Sequence, residues 1–143
     1  MENQSLSKSQ ITIMAIAAGV CVANIYYNQP VLKDIAKSLN TTEANVGLVS
    51  VLAQAGYGFG LFFITPLGDK INRKKLILGL QGLLIFAFLG MVFFDSRFGI
   101  FTMSIIIGIC SVAAQVILPN AASLEKNNQA KTISFIFSGI LIG

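Results

Sequence analysis

Long apolar runs alternate with short charged segments along this chain. Four runs cover residues 11–32, 46–67, 76–94 and 98–118, and a fifth covers residues 133–143. All 16 charged side chains lie outside the five runs. A helix needs about 20 apolar residues to cross about 30 Å of hydrocarbon. The pattern therefore predicts an all-α membrane protein, a helical bundle with four spanning helices and the start of a fifth.

Strands explain these runs poorly. Strands in globular proteins usually have about 3–10 residues, and barrel strands alternate polar and apolar residues over about ten. The runs are longer and do not alternate. The first run is also longer than a typical signal-peptide core and follows a polar segment, residues 1–10, which we interpret as a cytoplasmic tail.

Composition supports a membrane protein and excludes several kinds of chemistry. Only 11% of residues are charged and 55% are hydrophobic, against about 25% charged in soluble domains. The chain has no His, so histidine catalysis and His-ligated metal sites are excluded, and we expect no metal and no cofactor. Cys21 and Cys110 lie inside runs, where small apolar packing is favoured over a disulfide or metal pair.

The distribution of lysine and arginine predicts the orientation. Alternate segments hold seven basic residues on one side and three on the other. The seven are Lys8, Lys70, Arg73, Lys74, Lys75, Lys126 and Lys131, and the three are Lys33, Lys37 and Arg97. Cytoplasmic loops are rich in basic residues, so we expect a multi-pass protein of the cell (inner) membrane with a cytoplasmic N-terminus. The Arg73–Lys75 cluster is better explained as a topology signal than as a nucleic-acid site.

Amides and tyrosines interrupt the apolar runs. Polar groups in hydrocarbon are costly unless they face protein or water. These side chains either join helices by hydrogen bonds or line a substrate cavity, and residue type alone leaves both interpretations open. The candidate cavity residues are Asn24, Tyr27, Asn28, Gln54, Tyr57 and Gln115. Pro30 favours a bend in the first run.

Two further motifs lie in and after the second run. Gly56 and Gly60 form a GxxxG pair, which favours close helix packing. A tight, highly charged turn follows, with Asp69, Lys70, Arg73 and Lys74 as its candidate functional residues. A carboxylate in such a turn can cap a helix and pair with a neighbouring cation.

The stretch Asp69-Lys70-Ile71-Asn72-Arg73-Lys74 resembles the signature loop between helices 2 and 3 of the major facilitator superfamily. Thr65 and Asn72 stand where that loop usually has glycines; Asn tolerates a left-handed backbone, whereas Thr65 is expected to weaken packing. The stretches Asn24-Ile-Tyr-Tyr-Asn-Gln-Pro and Gln54-Ala-Gly-Tyr-Gly-Phe-Gly are similar to the bacterial drug- and sugar-efflux branch. The resemblance covers the whole chain.

This resemblance implies a transporter of twelve helices in two bundles that rock about a central site. It implies that the Asp69 loop is a cytoplasmic latch which grips the second bundle. The expected partners are the lipid bilayer, a small-molecule substrate, protons as exchanged ion and a missing C-terminal bundle, with no nucleic acid. Ser104 stands where related antiporters often carry an arginine, so that coupling mechanism does not transfer.

On this interpretation the chain is a truncated N-terminal fragment, residues 11–143 forming a partial bundle, that cannot transport alone. Two alternatives remain. One is a small dimeric multidrug exporter, which needs a membrane-embedded carboxylate that the first run lacks. The other is a non-transporting membrane assembly subunit. An enzyme is not expected, since no arrangement of a nucleophile with a base is present.

Overall fold

A computed structural model describes residues 6–26, 28–38, 40–94, 96–125 and 128–142. These residues form helices and connecting turns, without a strand in the described ranges. The helices are α1 (Lys8–Tyr26), α2 (Asn28–Ser38), α3 (Glu43–Lys70), α4 (Arg73–Phe93), α5 (Arg97–Ser111), α6 (Ala113–Leu124) and α7 (Gln129–Ile142).

The first apolar run contains parts of two described helices, and Tyr27 between them lies outside the described residues. α1 ends at Tyr26 and α2 begins at Asn28. Pro30 is the third described residue of α2. α2 continues past the end of the run to Ser38, and its Ala36 is buried in a small cluster with Val46 and Val49 of α3. The bend expected near Pro30 stays a prediction.

The fourth run is divided at Val112, which lies between α5 and α6. The backbone N–H of Val112 donates to the carbonyl of Ile109 at 3.4 Å, a spacing of three residues instead of the four of an α-helix. Val112 keeps a right-handed conformation, with φ −63° and ψ −13°. α5 and α6 consequently follow one path across the bundle rather than reversing direction.

Within the part of the chain that the structure describes, four helical segments are long and apolar enough to cross a membrane. They are Lys8–Tyr26, Asn45–Lys70, Arg73–Phe93 and Arg97–Leu124. α7 is shorter, with 14 residues. The outer side of α4 presents large apolar side chains, including Phe86, Val92 and Phe93, which are at least 63% exposed. Such a surface suits lipid or a further protein surface rather than water.

The centre of the bundle is built from small residues. Ala18, Cys21, Cys110, Ala113 and Ala114 are each 0% exposed and belong to one cluster shared by α1, α5 and α6. In hydrocarbon, helices associate through close packing of small side chains because lipid tails are as apolar as leucine.

α3 and α5 cross at a contact that only glycine permits. A Cβ on Gly60 would lie 2.7 Å from Cγ2 of Val112 and 3.0 Å from the carbonyl oxygen of Ile109. A Cβ on Gly56 would strike the carbonyl oxygen of Ile105, and one on Gly108 would strike that of Ala53. The GxxxG pair of α3 thus lies against the backbone of α5.

Candidate functional site

Arg73 is the centre of a hydrogen-bonded cluster at one end of the bundle. It opens α4, directly after the turn that follows α3. Its Nε donates to the carbonyl of Gly68 at 3.2 Å. Its Nη1 donates to the carbonyl of Pro119 at 2.9 Å and to the Ser123 hydroxyl at 3.2 Å. One guanidinium therefore joins the end of α3 and the end of α6 to the start of α4.

Asp69 completes this cluster. Nη2 of Arg73 donates to Oδ1 of Asp69 at 2.8 Å, across one turn in sequence. The Asp69 side chain is 72% exposed and that of Arg73 is 25% exposed. Because solvent screens so exposed a pair, it adds only about 0.2–1 kcal/mol. The geometry thus holds a carboxylate at the bundle surface, oriented by an arginine whose other bonds fix it.

The other loop residues have distinct roles. Asn72 has φ −62° and ψ 111°, and its side-chain oxygen accepts from the backbone N–H of Lys75. It acts as an N-cap of α4 rather than in the left-handed conformation that the sequence suggested. Lys70 and Lys74 are exposed.

Thr65 stands where the signature loop of the family usually has a glycine, and no hydrogen bond in the described residues offsets this change. It is half-buried, and within the described residues its hydroxyl is a buried group without a hydrogen-bond partner. A buried polar group left unpaired costs about 1–3 kcal/mol; the weaker packing expected at Thr65 stays a prediction.

Two of the predicted cavity residues lie together. Nε2 of Gln115 on α6 donates to the Tyr57 hydroxyl on α3 at 3.0 Å. Both side chains are half-buried, so the pair joins two spanning helices and keeps part of its surface accessible. The hydrogen bond supports the helix-joining interpretation at these two positions, and the cavity interpretation stays a prediction.

Of the remaining cavity candidates, the structure describes the side chains of Asn24 and Gln54. Asn24 is buried near the end of α1, with 8% exposure, and Gln54 is exposed on α3. Asn28 begins α2, but its side chain and all of Tyr27 lie outside the described residues. A single lined cavity made by all six residues stays a prediction.

Ser104 forms its hydrogen bond within its own helix, α5. It is 1% exposed, and its hydroxyl donates to the carbonyl of Ile100 at 2.7 Å. It supplies neither the charge nor the reach of the arginine that related antiporters often carry at this position.

Sequence reasoning did not identify Gln81 as a contact residue. Its Nε2 donates to Sγ of Cys21 at 2.8 Å and so joins α4 to α1. Gln81 is an amide inside the third apolar run, so the rule that selected Gln115 could have found it.

Ser123 and Glu125 were also not identified. They follow the fourth run in a polar stretch where such residues are ordinary, and nothing in their spacing indicated a contact. Their importance depends on tertiary placement, since Ser123 accepts from Arg73 and Glu125 accepts from the backbone of Leu6.

Comparisons with known proteins agree with this architecture. The sequence model of the Major Facilitator Superfamily matches residues 14–143. The uncharacterized transporter YgaY of Escherichia coli, in strains K12 and O157:H7, is 36% identical over 145 residues, covering 99% of this chain and 36% of the relative. The "Probable transporter SCO4007" of Streptomyces coelicolor is 38% identical over 71 residues, which cover 50% of this chain and 16% of that protein. No solved structure matches significantly.

The chain thus spans about a third of the length of the Escherichia coli relatives. The family match covers nearly all of the bundle, including the Arg73 cluster and the Tyr57–Gln115 pair. It confirms the predicted fold class, and several apolar helices make this a multi-pass membrane protein. The chain belongs to the Major Facilitator Superfamily.

Proposed function

We propose that this chain forms part of the first bundle of a secondary transporter that exports small molecules across the inner membrane. The observation that carries the proposal is the Arg73 cluster. It fixes three helix ends to one another and leaves Asp69 exposed beside them. A rigid end with a protruding carboxylate suits a surface that must bind and release a second bundle.

The latch acts by charge and helix polarity. An exposed carboxylate binds well at a helix N-terminus, which carries a partial positive charge. In the outward-facing state Asp69 would dock on such a helix end of the second bundle, and in the inward-facing state it would return to solvent. Arg73 keeps the carboxylate oriented in both states. This is alternating access by rocking of two bundles.

Two observations support the proposed orientation of the chain in the membrane. The excess of Lys and Arg favours a cytoplasmic tail and a cytoplasmic signature loop. In addition, Leu6 contacts Glu125 at the end of α6, and Arg73 contacts Pro119 on the same helix. The segment before α1 and the signature loop thus adjoin the same end of α6, as an even number of crossings between them requires.

The proposed substrate contacts are Tyr57 and Gln115, with Asn24 and Gln54. Hydroxyl and amide groups suit neutral or cationic small molecules. The proposal that proton exchange drives transport depends on the family resemblance. The apolar runs contain no ionisable side chain of the Asp, Glu, Lys or Arg type, so the proton-carrying group belongs outside them, and a second bundle is one place for it.

The proposed partner is a second bundle, because rocking needs two. A chimera tests this directly: residues 1–143 joined to the part of the Escherichia coli relative that lies beyond its matched region. The measurement is efflux of ethidium from preloaded cells, with and without a protonophore. We expect efflux from the chimera and none from cells making residues 1–143 alone.

The same experiment separates the alternatives. Protonophore-sensitive efflux by residues 1–143 alone would contradict the need for a second bundle and favour a small dimeric exporter. A chimera that inserts at normal levels but exports neither ethidium nor other cationic dyes would contradict the efflux proposal and favour an assembly subunit.

A further inference from the structure

Glu125 is a buried carboxylate outside the signature loop. It is 3% exposed and is the one charged side chain among the buried residues that the structure describes. Its Oε2 accepts from the backbone N–H of Leu6 at 2.8 Å, and its Oε1 accepts from that of Asn128 at 3.3 Å. A buried charge is tolerated only when it is hydrogen-bonded or paired, so these two contacts are what hold it there.

One of the two donors lies at a helix N-terminus, since Asn128 directly precedes α7. The first N–H groups of a helix have no partner within it, and the helix dipole favours a negative charge beside them. Leu6 lies two residues before α1. One carboxylate therefore ties the segment before α1 to the start of α7, although these are more than 100 residues apart in sequence.

The segment that carries Glu125 also receives Arg73. Within residues 119–125, the Pro119 carbonyl and the Ser123 hydroxyl accept from Arg73. On α7, Nε2 of Gln129 donates to the carbonyl of Ala122 at 3.2 Å. This short segment is thus fixed by the signature loop through one set of groups and by α1 and α7 through another.

We infer that Glu125 is a positioning residue of the latch. By holding the end of α6 to the segment before α1 and to the start of α7, it places the Pro119 and Ser123 acceptors where Arg73 needs them. The inference rests on the proposed function, and it extends the latch to a unit that includes the start of the chain's first helix. The signature loop, the segment before α1 and the start of α7 then open and close together.

The Glu125→Gln variant isolates this role. Glutamine has nearly the same shape but only one acceptor oxygen, and its NH₂ group would face a backbone N–H. The fold can therefore form while one of the two ties is lost. The matched control is Asp34→Asn, which removes a carboxylate that is exposed on α2.

The measurement is backbone hydrogen exchange of the full chain in lipid nanodiscs, followed by mass spectrometry. Exchange reports local opening. We expect Glu125→Gln to speed exchange about tenfold in residues 6–12 and 128–132, and also in residues 66–76 of the signature loop. Tenfold corresponds to 1.4 kcal/mol. Residues 46–60, at the α3–α5 crossing, should be unchanged, and Asp34→Asn should change none of these segments.

The reverse perturbation provides the decisive comparison, because coupling between sites is reciprocal. Arg73→Gln should speed exchange in residues 6–12, and the double variant should add little to either single one. If Glu125→Gln affects only residues 6–12 and 128–132, Glu125 is a local tie and the inference is wrong. If Glu125→Gln unfolds the chain, unchanged exchange of residues 6–12 in Arg73→Gln overturns it instead.

These outcomes do not depend on transport. Exchange is measured without substrate, so failure of the chimera to export ethidium would contradict the proposed function and leave the coupling result intact. Conversely, an exporting chimera with uncoupled segments would contradict only the role of Glu125.

Discussion

Replacing Arg73 by lysine removes the forked guanidinium that joins α3, α4 and α6 at one end of the bundle. The positive charge remains, but a lysine ammonium is a single point donor and lacks the planar geometry of guanidinium. Four bonds converge on Arg73, to Gly68, Asp69, Pro119 and Ser123. A lysine at this position can satisfy one or two of these acceptors at a time.

The magnitude follows from which bonds are lost. Hydrogen bonds from a charged donor contribute about 1.5–3 kcal/mol each, whereas the exposed pair with Asp69 contributes about 0.2–1 kcal/mol. Arg73 is 25% exposed, so water replaces part of what is lost. We expect Arg73→Lys to lower the free energy of unfolding by about 2–3 kcal/mol, near the value of one or two bonds to neutral acceptors.

The assay is unfolding of the purified chain in mixed micelles by increasing sodium dodecyl sulfate, followed by circular dichroism at 222 nm. Lys74→Gln is the matched control, because Lys74 is the exposed basic neighbour. It should stay within about 0.5 kcal/mol of the wild type, as surface substitutions usually do. An Arg73→Lys variant as stable as Lys74→Gln would refute the cluster as a structural anchor.

Two other variants test the packing between spanning helices. Gly108→Leu places side-chain atoms on the carbonyl of Ala53 and should cost about 3 kcal/mol in the same unfolding assay; Gly79→Leu, where nothing lies within 4 Å, should not destabilise, and equal losses in both would contradict the close crossing. Tyr57→Phe removes the acceptor for Gln115 and should cost about 0.6–2 kcal/mol; a double-mutant cycle with Gln115→Leu that shows no coupling energy would mean the bond does not form.

The number of helices long and apolar enough to span a membrane, four among the described residues, followed from the sequence because hydrocarbon excludes charge. That rule predicts where an apolar run begins and ends, but not where the helix within the run is interrupted. The interruption at Val112 is a local backbone effect within an apolar stretch. The sequence suggested nothing at that position.

The candidate site was predictable to a lesser degree. The resemblance identified Asp69 and Arg73 because a charged turn between two spans has a recognisable pattern. It could not identify the Pro119 carbonyl, which is a backbone group, or Glu125, whose burial arises only when α1 and α7 meet the end of α6. The pairing of Tyr57 with Gln115 required a distance between helices that spacing along the chain does not encode.

The central claim is that Asp69 acts as a latch in a transporter. The most direct test measures the initial rate of ethidium efflux in the chimera with the Escherichia coli relative, and compares the Asp69→Asn variant with the Asp34→Asn variant. Both variants remove one exposed carboxylate and preserve side-chain shape. The account predicts that Asp69→Asn slows efflux at least about tenfold, the effect of 1.4 kcal/mol on a rate, while Asp34→Asn keeps the parent rate at equal insertion. Equal rates for the two variants would contradict a latch at Asp69 and leave the signature loop as a topology signal alone.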